Sequence, residues 1–598
     1  MYNNPMKLTK DIKTKFEKLG IGSFLELALI VPHSYEDFRL HSALQPHKSQ
    51  LIDATVESVF RGANSISITF FVHNFSHTIK AVIFHPKPYM MHQFKVGSRD
   101  YYYGMIECKM GSCSMSMPKK ISQIGAITPK YKTALRTDAM SRFIEKNLTY
   151  ENLASEGLKD EVIREILKLH FPKENLPLEL SSESLYALKY TELYVYMKQL
   201  AKKKVSFASS ISKISSYKEW SKTLPFKLTL EQINAIEDIK NDFSKSVASK
   251  RMIVGDVGSG KTMVILASAF MMFPSRSILM APTTILAKQL FEEATKFLPN
   301  LKTTLVTNKT KKIDLNEYDF IIGTHALLYR ELPHADLVMV DEQHRFGTLQ
   351  RNMLEKLVVK DEKKPHFLQF SATPIPRTQA MIETAHIDVS LITSTPFKKD
   401  ITSKVIHKSD FANLLQHIKN EILKKNQVLI IYPLVEMSEH LNYQSIEEAK
   451  AYWIKNFSNV FVTHGKDKDK EKTLLEFREK GDLLIATTVV EVGISLPRLS
   501  TIVIVGAERL GLSSLHQLRG RVSRTGLKGY CFLYTNQEKS QRLDKFVETK
   551  SGFDIANLDL KFRKSGDLLK GNTQSGQQFR WVDLSEDEKI AKEINQIL

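Results

Sequence analysis

The run GDVGSGKT at residues 255–262 lies between the apolar stretch RMIV and the longer apolar stretch MVILASAF. Gly255-x4-Gly260-Lys261-Thr262, read from strand into helix, has the spacing of a loop that wraps phosphates. Glycines at 255, 258 and 260 let backbone N–H groups close around an anion, and the following helix adds partial positive charge at its N-terminus. Lys261 is then the group that reaches the terminal phosphates of a nucleotide, and Thr262 a magnesium ligand. In LVMVDEQH an apolar strand delivers Asp341 and Glu342 at its carboxyl end, where parallel α/β sheets bind their ligands. Asp341 is expected to hold the magnesium ion and Glu342 to orient or deprotonate an attacking water. The chemistry these residues can do together is transfer of the terminal phosphoryl group of ATP, with Mg2+ as cofactor.

Just upstream stand Phe226 and Gln232. A glutamine amide can pair with the N6/N7 edge of adenine, and an aromatic ring can stack on the base. Thr229 with Gln232 three residues on is equally a helix capping box. The two roles are compatible.

The elements that must hold these groups are legible as period and punctuation. From residue 222 onward apolar runs (MIVGD, SILMAP, TTLVT, DFIIGT, DLVMVDE, FLQFSAT, then VLIIYPL, VFVTHG, LLIATT, TIVIVGAE, YCFLYT) alternate with helical segments, which predicts mainly parallel sheets. There are too many strands for one ordinary sheet, and TSTPFKKDITSK at 393–404 reads as the joint between two α/β domains, 222–395 and 396–535. Residues 1–50 read as an N-terminal helical segment. Residues 51–150 read as a small β-barrel or sandwich with strands of the length an oligonucleotide-binding barrel requires. Residues 151–221 read as a helical linker whose lysine- and serine-rich end is solvated, and 536–598 as a further C-terminal element.

At 598 residues the chain is expected to hold three to five domains. Its longest apolar runs fall short of the ~20 residues of a membrane span, and its opening has no secretory signal, so a cytoplasmic protein without a membrane partner is expected. Cys108, Cys113 and Cys531 are too few for a disulfide framework, and no second Cys or His pair completes a zinc site; they read as structural thiols in a reducing compartment. A formal charge of +19 favours a polyanionic partner, although a solvated basic surface would look the same in composition.

Five further stretches stand in order along the chain: APTTILAKQ (281–289), GTHAL (323–327), SATPIPRT (371–378), TTVVEVGIS (487–495) and HQLRGRVSR (516–524). With the phosphate loop and the DE pair, they resemble the motif series of superfamily 2 helicases over residues 222–535. Arg521 and Arg524 lie three apart, on one face if HQLRGRV is helical, with Gln517 one turn earlier. Guanidinium groups offered from a second domain to the γ-phosphate would act as arginine fingers, whereas on an isolated helix they would make a surface ion-pair face. The resemblance implies that Thr283, Thr324 and His325 line a DNA track on the first lobe, and Thr487, Thr488 and Gly493 on the second.

DEQHRFGTLQR, SATPIPRTQA, LHQLRGRVSR and the tail SGFDIANLDLKFRKSGD with GNTQSG narrow the likeness to the RecG family of branched-DNA translocases, across nearly the whole chain. That resemblance implies an N-terminal helical segment with an oligonucleotide-binding-like barrel as wedge, two RecA-like α/β motor domains, and a small C-terminal translocation element. In AVIFHPKPYMM it places base-stacking aromatics at Phe84 and Tyr89, positions that on a β-rich stretch could equally belong to a core. Arg563 and Gln574 carry over as translocation residues; Ser523 stands where the family has glycine, and Lys564 and Ser565 depart from its glycine and proline. The implied activity is ATP-driven movement on double-stranded DNA that remodels stalled forks, Holliday junctions, D-loops and R-loops in repair and recombination. Implied partners are branched DNA and single-strand DNA-binding protein, for a monomeric enzyme. An RNA-directed helicase is the competing enzyme, and a non-hydrolysing junction-binding scaffold the competing class, against which intact Lys261, Asp341, Glu342 and Arg524 count.

Overall fold

The computed structural model describes residues 9–598 apart from 63, 88–89, 91–92, 110–111, 123, 174–178, 203–206, 210–213, 312, 359–362, 374, 386, 398, 435–442, 488–494, 524–525 and 571–578. The chain forms two compact units, residues 1–196 with 578–582, and residues 197–577 with 583–598.

In the first unit, alternation of apolar and polar residues curls five strands into a closed barrel. The strands, in hydrogen-bonded order, are Lys48–Arg61, Ser65–Val72, His77–Phe84, Ser112–Ile121 and Arg99–Lys109. The third and fourth in this order run parallel and the remaining pairs antiparallel. Ile66, Ile68, Phe70, Ile79, Ala81 and Ile83 point inward and are buried, so the residues between them, Ser65, Ser67 and Phe84 among them, lie on the outer face. The closing strand CSMSMPKKI was the hardest to see in sequence, because lysines and serines dilute its pattern. Residues 34–37, expected within the helical opening, instead form the strand Ser34–Asp37, paired antiparallel with Ile127–Lys130.

Cys108 and Cys113 form a disulfide, which corrects the reading of both as free thiols. They sit directly opposite each other on adjacent antiparallel strands, with Cα atoms 4.1 Å apart. A spacing that looks like four idle residues is in fact a hairpin that brings the sulfurs together.

The second unit contains two parallel sheets. The seven-stranded sheet has the order Thr303–Val306, Phe320–Gly323, Ser277–Met280, Leu337–Val340, His366–Ser371, Lys250–Gly255, Asp388–Ile392. The six-stranded sheet has the order Ile401–Ile406, Gly529–Tyr534, Leu499–Val505, Gln427–Ile431, Leu483–Ala486, Val460–Thr463. The joint at 393–404 is partly structured, since its end belongs to the edge strand Ile401–Ile406 of the second sheet.

Helices cover both sheets and bury near-continuous apolar strands, the pattern of RecA-like motor domains. One correction concerns the basic stretch before residue 222. Its end does not stay solvated: helix Tyr217–Lys222 buries Tyr217 and Trp220 in the core of the first sheet, with Trp220 Nε1 donating to the Phe297 carbonyl at 2.9 Å. Two large aromatics outweigh the surrounding lysines, whose charged ends remain at the surface. The C-terminal part folds as helices Gln541–Glu548, Gly552–Lys570 and Glu588–Asn595. No helix among the described residues is long and apolar enough to cross a membrane.

Candidate active site

Strand Lys250–Gly255, buried from Arg251 onward, ends in the phosphate loop, and helix Lys261–Met272 begins directly after it. Gly260 is the N-cap and has φ +78, the left-handed region. A Cβ there would lie 2.3 Å from the Gln232 amide nitrogen, so only glycine fits. Lys261 Nζ donates to the carbonyls of Gly255 (2.8 Å) and Asp256 (3.2 Å), folding the lysine across the loop.

Gln232 takes the capping role and a second one that the sequence did not suggest. Thr229 and Gln232 form a reciprocal capping box on helix Leu230–Phe243. The same side chain turns its Nε2 to the carbonyls of Ser259 (2.8 Å) and Gly260 (3.4 Å), so the helix cap also props the phosphate loop. Phe226 is 42% exposed, with its ring edge against Phe297.

Strand Leu337–Val340 delivers Asp341 and Glu342 opposite this loop. Burial first, and the neighbouring Glu342 carboxylate second, push the Asp341 carboxyl far above the usual carboxylate range; Lys261 only partly offsets them. Glu342 has φ +49, an uncommon conformation for a non-glycine residue and one that concentrates at functional sites. Its Oε2 accepts the N–H of Ala372 in the SATP segment at 3.1 Å. From there a chain crosses to the second domain, because Gln517 Nε2 donates to Thr373 Oγ1 at 2.8 Å.

A cavity of about 660 Å³ lies between these groups, lined among others by Phe226, Lys261, Asp341, Glu342, Gln517 and Arg521. Thr262, Gly258, Gly260 and Gln232 also border it, and Gly255 ends the strand behind. The structure thus brings one buried guanidinium, Arg521, from the second sheet domain to the cavity that holds the first domain's lysine and carboxylates. Its placement differs from the expected helix face. The helix is Leu512–Arg519, and Arg521 follows it, beyond Gly520. The chain turns there, with Ser523 at φ +62, so helical periodicity does not govern the placement of Arg521. Arg524 itself lies outside the described residues.

The residues expected on a DNA track are divided. Thr283 caps helix Thr284–Phe297, accepting the Leu286 N–H at 3.2 Å. Thr324 is buried and caps a short turn, which leaves the exposed His325 as the solvent-facing member of that pair. Thr487 is half-buried after strand Leu483–Ala486. Thr488, Gly493, Tyr89 and Gln574 lie outside the described residues, as does the side chain of Arg563 within helix Gly552–Lys570.

Phe84 is 60% exposed on the outer face of the barrel, and it has a companion that sequence reasoning missed. Phe60 is 73% exposed. It pairs with Ser67 across one strand boundary while Phe84 pairs with Ser65 across the next, so the two rings flank a floor of serines. Its signal in sequence was the end of the run TVESVF, where alternation alone would have turned it inward; a bulge between Val56 and Ser58 turns it out.

Comparison with known proteins follows this division. The model of DEAD/DEAH box helicases matches residues 229–382, and that of the helicase conserved C-terminal domain matches 409–526. The chain is 42% identical over 615 residues to the ATP-dependent DNA helicase RecG of Helicobacter pylori, with 99% of this chain and 98% of that one covered. It is 31% identical over 637 residues to the same-named protein of Streptococcus pneumoniae, covering 98% and 93%. A solved structure of RecG bound to a three-way DNA junction matches 98% of this chain and 84% of its own at 27% identity, with a TM-score of 0.57. Two RecA-like domains closing on one nucleotide cavity, a five-stranded barrel ahead of them and full-length similarity at this level make the chain a member of the RecG family of ATP-dependent DNA helicases.

Proposed function

We propose that this helicase separates and re-pairs strands at branched DNA, such as stalled forks, Holliday junctions, D-loops and R-loops, in repair and recombination. The observation that carries the motor part of the reading is the shared cavity, in which Arg521 faces Lys261, Asp341 and Glu342. Lys261 takes the phosphates of ATP, Phe226 stacks on the base, and Glu342 orients the attacking water. Arg521, with Arg524, stabilises the transition-state charge, a role worth about three to five powers of ten in rate. Gln517, on the helix that precedes Arg521, ties the second domain to the SATP segment through Thr373. Thr262 and Asp341 would hold Mg2+, which suits a buried Asp341 carboxyl that burial and the neighbouring Glu342 push toward its neutral form and that a cation would keep ionised; a divalent cation there would supply charge neutralisation on the phosphates.

On the DNA side, Phe60 and Phe84 stack on unpaired bases, each contact worth about 1–3 kcal/mol without regard to sequence. The junction-bound relative supports a branched substrate. Thr283, His325 and Thr487, with Thr488, Gly493, Arg563 and Gln574, contact the phosphate backbone, and the enzyme works as a cytoplasmic monomer alongside single-strand DNA-binding protein.

ATP hydrolysis measured side by side on linear duplex, forked duplex, four-way junction and RNA tests the reading, with the branched DNAs expected to stimulate most. RNA as the strongest activator would overturn it. Lys261→Ala should abolish turnover while junction binding persists. Phe60→Ala with Phe84→Ala should slow fork opening while leaving hydrolysis on linear duplex intact.

A further inference from the structure

One buried carboxylate, Asp256, ties three parts of the motor together: the phosphate loop, the second sheet domain and the C-terminal helix. It follows Gly255 in the phosphate loop, yet its side chain turns away from the nucleotide cavity and into the protein. Oδ1 accepts from His516 Nε2 at 2.6 Å and from its neighbour Val257 N at 2.6 Å, while Oδ2 accepts the backbone N–H of Gly552 at 3.0 Å. His516 belongs to helix Leu512–Arg519 of the second sheet domain, and Gly552 opens the C-terminal helix Gly552–Lys570.

The protonation states follow from the partners. Arg519 Nη2 lies 3.0 Å from His516 Nδ1 and can only donate, so Nδ1 accepts and the ring proton sits on Nε2, facing Asp256. Burial keeps His516 below its ordinary value and therefore neutral. Burial alone would raise Asp256, but the His516 bond and the nearby Lys399 charge hold its carboxyl down at about 2. Arg519 in turn donates to the carbonyls of Phe546 (3.1 Å) and Lys550 (3.3 Å) and lies over the Phe546 ring.

The helix gripped by Asp256 is shared between the motor domains. Phe553 is buried against Met252 and Val254 of the nucleotide strand, while Ile555 is buried in the core of the second sheet. Asp559 accepts the Leu512 N–H that starts the second domain's helix. The fit is tight, because a Cβ on Gly520 would lie 2.7 Å from Val257.

We infer that Asp256 is a positioning residue that passes the state of the phosphate loop to the C-terminal helix, so that ATP hydrolysis and movement along DNA stay in step. A loop that shifts with its nucleotide carries the acceptor oxygens away from His516 and Gly552 together. The inference rests on the helicase activity of the family and not on the branched substrate.

Gly552→Pro tests it. Gly552 is the first helical residue, where proline is well tolerated, so the change removes the N–H that Asp256 Oδ2 accepts without touching a residue of the nucleotide cavity. In the full chain, hydrolysis is expected to stay within about twofold of the parent, while forks opened per ATP fall about tenfold, the scale of one lost hydrogen bond to a charged group. A parallel fall in both rates, or an unchanged ratio, overturns the inference. Asp256→Asn replaces one acceptor oxygen by a donor and cannot satisfy His516 and Gly552 at once. The double variant should show the ratio of the worse single variant, since both act on one network, and multiplicative losses would overturn the inference as well. If the parent hydrolyses ATP but opens no fork, the substrate proposal fails; the ratio is then read from displacement of a triplex strand on linear duplex.

Discussion

Ser523→Gly should make this protein more stable. Ser523 has φ +62, and the left-handed conformation costs a residue with a Cβ about 1–2 kcal/mol. Its hydroxyl is buried, and Oγ finds no hydrogen-bond partner among the described residues, a desolvation worth about 1–3 kcal/mol. Against this, glycine gives the unfolded chain more freedom, an opposing effect of about 0.5–1 kcal/mol. The balance favours glycine by at least about 1 kcal/mol, or about 2–4 °C in Tm for a domain of ordinary size. The midpoint of urea unfolding, followed by tryptophan fluorescence, measures it. Ser523→Ala separates the contributions, because it removes the hydroxyl and keeps the backbone conformation; its gain should be smaller. A glycine variant that melts no higher than the parent would refute the reasoning, whatever its activity.

Acid should loosen the first unit through His170, whose Nε2 meets the Ala28 carbonyl and whose Nδ1 meets the Tyr131 hydroxyl, both at 2.9 Å. Burial lowers its pKa to about 4, so the unfolded chain takes up a proton near pH 6.5 that the folded one refuses. Stability is then full above pH 6.5 and falls by about 3 kcal/mol as pH drops toward 4; His170→Gln should flatten that slope in chemical denaturation. Arg251→Met should destabilise by somewhat less than about 3–5 kcal/mol, the cost of a fully stranded buried charge, because Arg251 Nε pairs at 2.6 Å with the fully buried Asp242 while Lys245 keeps its own bond to that carboxylate, and adding Asp242→Leu should recover most of the loss. Reduction of the Cys108–Cys113 bond, or its replacement by serines, should lower barrel stability by at most about 2 kcal/mol, since the loop closed is short, and leave hydrolysis on linear duplex unchanged.

The parallel sheets were legible because strands buried on both faces announce themselves as apolar runs: MIVGD, DLVMVDE, VLIIYPL and the others all became strands. The phosphate loop and the DE pair were legible for a related reason, as their residue types are fixed by short-range geometry between one strand and one helix. What escaped depends on distant partners. Nothing near Cys108 says that a hairpin will close it onto Cys113, and the lysines around Trp220 conceal a ring that only the Phe297 carbonyl and a distant core explain. Arg521 was foreseen by type but its setting was not, because the helix ends at Arg519 and the chain turns at a serine in a left-handed conformation. Asp256 escaped altogether: its two partners lie 260 and 296 residues away.

The dual engagement of Gln232 has a further implication for fidelity toward the base. Its amide oxygen is occupied by Thr229 N, and its two amide hydrogens point to Ser259 and Gly260. An amide that donated to N7 of a purine would have to let go of at least one carbonyl in the loop, and one that accepted from an adenine N6 amine would have to share the oxygen that caps the helix, so any contact this side chain made to a base would loosen either the loop's brace or the helix's cap.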